Sequence, residues 1–201
     1  MTLAQEPGAR FVARAVGWIL IATGAVALAA AVTLMAEKIL MLEDPLHVPA
    51  CTIDAVLACG SVMTSDQAAA FGIPNPLIGI AGFGAVVAFG ATLAGGAALP
   101  RPLWLAIQAG LTFAVGFVHW LFFQSLYRIE ALCPYCMVVW VATITAFLYV
   151  SVHNVGQGHL RAPRPLATLL VRYHGVILTA WLAVLALLVG EAFWDYWRAK
   201  L

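Results

Sequence analysis

Four cysteines carry the chemistry this chain offers: Cys51, Cys59, Cys133 and Cys136. The last two stand in a Cys-Pro-Tyr-Cys motif directly before an apolar run. Pro134 suits the first position of a helix, where its missing N–H would have no intrahelical partner anyway. Cys133 then falls at the cap and Cys136 at the third helical position, where free N–H groups and the positive dipole end favour a thiolate. Lowered thiol pKa values at helix N-termini are the usual basis of reactivity in such pairs. A thiolate at the mouth of an apolar helix can meet a reactant dissolved in the membrane, and a lipid-soluble electron acceptor such as a quinone fits that description.

The elements that position these thiols are apolar spans. Apolar residues make up 64% of the 201 residues and charged residues only 9%, against roughly 25% charged in a soluble chain. An ordinary soluble domain is excluded. The net charge of +1 averages over two sides of a membrane and says little about partners. Charge-free intervals mark helices, since about 20 apolar residues cross the hydrocarbon layer. They predict five spans, over 15–36, 76–97, 103–127, 133–152 and 173–190, the fifth the shortest. The fold class expected is an all-α integral membrane protein.

Arg10 and Arg14 precede the first span, Arg101 lies between the second and third, and Arg161, Arg164 and Arg172 lie between the fourth and fifth. Cytoplasmic connections carry the Lys/Arg excess, so the N-terminus is expected inside and the C-terminus outside. Lys38, Arg128, Arg198 and Lys200 fall outside with every acid except Glu6. The first segment can also be read as a cleaved signal peptide, although its apolar run exceeds a usual h-region.

On this topology all four cysteines face the outer, oxidising compartment, where disulfides persist. Three readings stay open. Two structural disulfides would staple the loops. A four-thiolate zinc site has the ligand count, but seven residues between Cys51 and Cys59 is unusual spacing for one. A redox relay would use both pairs. The 37–75 loop is too long to be only a connection. Within it, Cys51 and Cys59 close a small ring accessible to a soluble protein, and Ser65-Asp66-Gln67 reads as the capped start of a short helix that Gly72 stops. That helix is either a lid over the Cys-Pro-Tyr-Cys end or a plain surface connection.

Three stretches, CTIDAVLACGSVMTS, FGIPNPLIGIAGF and QSLYRIEALCPYCMVVW, together resemble the vitamin K epoxide reductase (VKOR) family in its bacterial membrane form. The likeness runs over about 15–152. It implies a four-helix bundle around a quinone over 1–152, with a cytoplasmic connection, a peripheral fifth helix and a short outer tail over 153–201. By the same resemblance, Cys133 and Cys136 are the active-site pair, and Cys51 and Cys59 the shuttle that passes electrons inward. Ser65 occupies the place of a serine that supports the active site. Asn75 corresponds to an asparagine that hydrogen-bonds a quinone carbonyl, and it is also placed to cap the second helix. The animal enzymes have Thr-Tyr-Ala where this chain has Val139, Trp140 and Val141. A menaquinone-type ring is therefore expected rather than an epoxide. Trp140 can stack on such a ring and donate one N–H, or serve in an interfacial aromatic belt.

His119 lies eight residues before Tyr127, so about 12 Å below the outer end of the third span. It is either a proton relay to the reduced quinone or a hydrogen-bonded ring packed on a neighbouring helix. Gln108, Gln124 and Ser125 read as interhelical glue, and Gly79, Gly82, Gly84, Gly90 and Gly95 as small residues that let the second helix pack closely. No metal box, nucleotide loop or nucleic-acid face is legible. The function expected is a membrane thiol oxidase that takes electrons from a thioredoxin-like (DsbA-like) protein outside and delivers them to a membrane quinone. The DsbB-type enzymes do the same work with the two cysteine pairs in the opposite order. Some relatives carry a fused thioredoxin-like domain after the fifth helix. This chain ends eleven residues past Gly190, so a separate partner is expected.

Overall fold

The structure, a computed structural model, describes residues 5–199, which leaves Lys200 outside. Among the described residues, five helices are long and apolar enough to span a membrane: α1 (Pro7–Glu43), α3 (Asn75–Ala94), α4 (Arg101–Gln124, continued by a π turn, Ser125–Ile129), α5 (Pro134–Gly156) and α6 (Arg164–Ala192). The short helices α2 (Cys59–Thr64) and α7 (Trp194–Arg198) flank the cysteine end. Among the described residues there is no β-strand. The all-α membrane architecture read from the sequence is what the chain adopts.

All five long helices begin the same way, with proline at the first or second position and no side-chain cap. Proline's fixed φ is preset for a first turn and its missing donor costs nothing there. Gly96 and Gly158, at φ 85 and 75, let the chain leave α3 and α5. Glu130 ends the π turn at φ 55, a left-handed conformation that reverses the chain just before Cys133. Inside α6, Tyr173 is non-helical (φ −114, ψ 20), so the membrane part starts where the charge-free interval starts.

Helix α5 is the hub, packed by α1, α4 and α6. Helices α1 and α3 cross with backbones nearly touching. A Cβ on Gly90 would lie 2.8 Å from the Gly17 carbonyl oxygen, and one on Gly24 would lie 2.9 Å from Val87. Without a hydrophobic drive between helices in lipid, such small-residue contacts supply the attraction. Of the glycines expected to pack, Gly79 and Gly90 do so. Gly82 and Gly84 face space with nothing within 4 Å, and Gly95 meets only its own helix. Gln108 acts as glue, donating to Ser151 (3.0 Å) and accepting from Asn154 (3.0 Å), which fastens α4 to α5. Arg101 donates to the His159 carbonyl at that end of the bundle. The cysteines lie at the other.

Candidate redox site

The first loop is moored to the last turns of α1. Lys38 donates to the Met63 carbonyl (2.9 Å), and Glu37 holds both His47 (2.8 Å) and the Ala50 N–H (3.4 Å). Between these anchors Asp54 builds a tight turn, its Oδ1 accepting from the Val56 and Leu57 N–H groups at 3.0 and 2.9 Å. The chain then forms one parallel bridge between Leu57 and Leu132. Leu132 N–H donates to the Val56 carbonyl (2.7 Å) and Ala58 N–H to the Leu132 carbonyl (3.0 Å).

The bridge sets the sulfur geometry, because Cys59 and Cys133 each follow it by one or two residues. Cys51 and Cys59 are joined as a disulfide, and the Cys59 sulfur stands 3.2 Å from that of Cys133. Cys59 and Cys133 are both 0% exposed and Cys51 is 7% exposed, inside an apolar shell that includes Leu34 and Met63. Cys133 caps α5 in an extended conformation, with Pro134 next and Cys136 third in the helix, as the motif implied. Cys133 and Cys136 are free thiols. The side-chain hydrogen bond from Cys136 holds the Cys133 thiol below its ordinary pKa, helped by the Cys136 and Tyr135 backbone N–H groups, while burial acts the other way. The donors at the helix start thus serve Cys133, whereas the sequence placed the favoured thiolate on Cys136. Three of the four sulfurs, those of Cys51, Cys59 and Cys133, lie within 4.8 Å of one another. Two of them share a covalent bond, so in this state they offer no thiolates to a zinc ion.

Below the sulfurs opens a cavity of about 580 Å³ between α3, α4 and α5. Cys136, Trp140 and Thr143 form its α5 wall, and Ser65, Gln67 and Asn75 contribute to its rim. The rest is almost wholly apolar, with Gly82, Phe83, Gly110 and Phe117 among the lining. Cavities of a few hundred Å3 with few polar groups suit an apolar ring compound. Trp140 is buried and meets Phe122 edge-on, with centroids 5.0 Å apart.

Two polar residues do other work than a capping pattern suggests. Ser65 Oγ donates to the Val62 carbonyl (2.7 Å), so it closes α2 and makes no cap for the 3₁₀ turn Asp66–Ala69 that follows. Asn75 is the first residue of α3 and its side chain points back over the loop. It donates to the Gln67 carbonyl (2.7 Å) and accepts from the Ala70 N–H (3.2 Å). Gln67 in turn donates to Gln124 on α4 (3.4 Å). The segment 65–75, which gives Ser65, Gln67, Ala68 and Asn75 to the cavity lining, is thereby fastened to α3 and α4. His119 is not in the cavity wall. Its Nδ1 lies 2.7 Å from the Val115 carbonyl, and Trp181 of α6 donates to its Nε2 (2.9 Å). These contacts are those of the packed, hydrogen-bonded ring, one of the two readings of His119.

A sequence profile of the vitamin K epoxide reductase family matches residues 18–151. The chain belongs to that family. A comparison with curated proteins found no match. The matched stretch includes all four cysteines, the loop and the cavity, and stops before α6. Membership of the vitamin K epoxide reductase family makes this a membrane protein of disulfide and quinone redox chemistry. The hydrogen-bonding roles of Asp54 and Gln67 went unread in the sequence. An Asp followed by a short apolar turn signals an Asx turn in principle, whereas nothing marks Gln67.

Proposed function

We propose that the protein is a thiol oxidase of the cytoplasmic membrane, with N-terminus inside, the cysteine end outside, and 1–152 as its catalytic core. The observation that carries this reading is one line of sulfurs: a disulfide in contact with Cys133, and Cys136 beside it on the cavity wall. Cys51, the more exposed of the loop pair, receives the thiolate of a reduced thioredoxin-like protein, and Cys59 leaves. The partner's second thiol then frees Cys51. The Cys59 thiolate attacks Cys133 of a Cys133–Cys136 disulfide and Cys136 departs. Cys51 next attacks Cys59, which restores the loop disulfide and releases Cys133. A lowered Cys133 pKa makes it a good leaving group in that step. The reduced pair delivers two electrons and two protons to a quinone in the cavity and becomes a disulfide again.

The cavity fits such a substrate. Trp140 lines the space where the ring would sit, and the fastened 65–75 segment forms part of its wall. Cys136 is the thiol placed to react. A menaquinone-type ring with an apolar tail suits the lining. Two static staples would not need a free thiol against a disulfide. The test is quinone reduction by the purified protein with a reduced thioredoxin-like dithiol protein. Reduction should require all four cysteines. Undiminished reduction after Cys51 and Cys59 are both replaced by Ala would sink the relay.

A further inference from the structure

Helix α7 lies outside the matched family region, yet it shares one apolar cluster with Cys136. Phe193, Tyr196 and Trp197 pack with Val56, Leu57, Leu126 and Leu132 in one apolar cluster. Those loop residues include the ones that make the Leu57–Leu132 bridge. Within the cluster one polar contact stands out: the Tyr196 hydroxyl donates to Asp54 Oδ2. The other oxygen of that carboxylate accepts from Val56 and Leu57 and so shapes the turn that leads into the bridge.

We infer that Tyr196 is a positioning residue for thiol exchange: by holding the Asp54 carboxylate, the C-terminal helix fixes the turn that presents Cys59 to Cys133. The chain of contacts is short. Tyr196 fixes Asp54, Asp54 fixes the Val56 and Leu57 amides, the bridge fixes Leu132, and the next residues are Ala58-Cys59 and Cys133. A disulfide requires Cα atoms within about 7 Å, so a loop that loosens by a few ångströms loses the reaction. Phe193 and Trp197 supply the apolar docking, and the phenol sets the register. The fifth span thereby acquires a task in the relay, which is to deliver α7 to the outer end of the bundle.

This inference rests on the relay proposed above, and the test separates the two. In the full chain carrying Cys51→Ala and Cys136→Ala, only Cys59 and Cys133 remain. Glutathione disulfide oxidises them to one Cys59–Cys133 disulfide and yields two glutathione thiols. The glutathione ratio at half oxidation reports how well the two sulfurs are held together. Tyr196→Phe keeps the ring packing and should raise the oxidant needed about tenfold, the scale of one hydrogen bond to a charged group. The midpoint of the Cys133–Cys136 pair, measured with Cys51 and Cys59 both changed to Ala, should stay put. A merely structural loss would move both pairs. In an Asp54→Ala background, Tyr196→Phe should add nothing. Equal midpoints with and without the hydroxyl, equal shifts of both pairs, or a full effect without Asp54 would each overturn the role of Tyr196. If the Cys59–Cys133 disulfide forms at no glutathione ratio in the parent, the relay itself is wrong and the inference goes with it.

Discussion

The sulfurs of Cys59 and Cys133 lie 3.2 Å apart although 74 residues separate them in the chain. Backbone sets this contact. One parallel bridge, between Leu57 and Leu132, brings a membrane-surface loop into register with the start of a membrane helix. The second disulfide partner of each sulfur is local: Cys51 lies eight residues before Cys59, and Cys136 lies one helical turn into α5. Each of the two central sulfurs therefore has a choice of partner, which a relay requires and a staple does not.

That choice gives the first prediction. Replacing Cys51 and Cys136 together by Ala removes both thiols that could reopen it, so a Cys59–Cys133 disulfide should accumulate. Cleavage at an engineered protease site beside Arg101, followed by non-reducing electrophoresis, reads it directly. The fragments should stay joined in the Cys51→Ala, Cys136→Ala double variant and separate when Cys133 is also replaced. Fragments joined in the Cys51→Ala, Cys133→Ala variant but separate in Cys51→Ala, Cys136→Ala would reverse the roles.

The second prediction concerns pH. A lowered pKa means that the Cys133 thiolate persists as pH falls and is lost only below its shifted midpoint. With the loop disulfide intact, ultraviolet thiolate absorbance should titrate below the ordinary thiol range, roughly 8.5. Cys136→Ala removes the largest cause of the shift, and the midpoint should move up. A midpoint indifferent to that change would show that the Cys136 hydrogen bond does not govern Cys133.

Much of this arrangement is legible in the sequence. Charge-free intervals found all five spans because the bilayer imposes one length on each, and the start of the fifth coincides with the break at Tyr173. Proline stands in the first turn of every long helix, and Pro134 is read in that place from the sequence alone. The polar residues of the loop were harder to read. Ser65 has the sequence of a cap, but a six-residue helix before it, too short for periodicity, takes its hydroxyl. Asn75 satisfies a capping rule on paper while its amide answers to Gln67 and Ala70. Glycines identify where backbones are permitted to approach, not which of them do, so Gly82 looks like Gly90 in sequence. Tyr196 and Asp54 are 142 residues apart, and no local pattern links them.

The third prediction is for Asn75. Changing it to Ala removes both hydrogen bonds that fasten the 65–75 segment, a loss of order 1 kcal/mol each. The Michaelis constant for quinone should rise about tenfold or more with kcat little changed. Exchange between Cys59 and Cys133 should be unaffected, since the bridge does not involve Asn75. Steady-state kinetics with a short-chain quinone decides it. A fall in kcat with an unaltered KM would move Asn75 from fastening the segment to acting on the bound ring.

The last prediction uses two glycines that differ only in what they face. Gly82 lines the cavity and Gly84 does not, and a Cβ on either would meet nothing within 4 Å. Leucine at either position should therefore leave the fold intact. Gly90 is the contrast, because any side chain there would strike the Gly17 carbonyl of α1. Gly82→Leu places a branched side chain in the space assigned to the quinone. If overfilling that site costs binding the 1–3 kcal/mol typical of overpacked cores, about tenfold or more of quinone affinity is lost. Thiol exchange between the cysteine pairs should continue, because the sulfurs sit above the obstruction. Gly84→Leu should reduce quinone as the parent does. The readout is quinone affinity and reduction beside the redox state of Cys133–Cys136, which should rest reduced in Gly82→Leu because its electrons have nowhere to go. Equal behaviour of the two leucine variants would mean that the quinone is not held in this cavity.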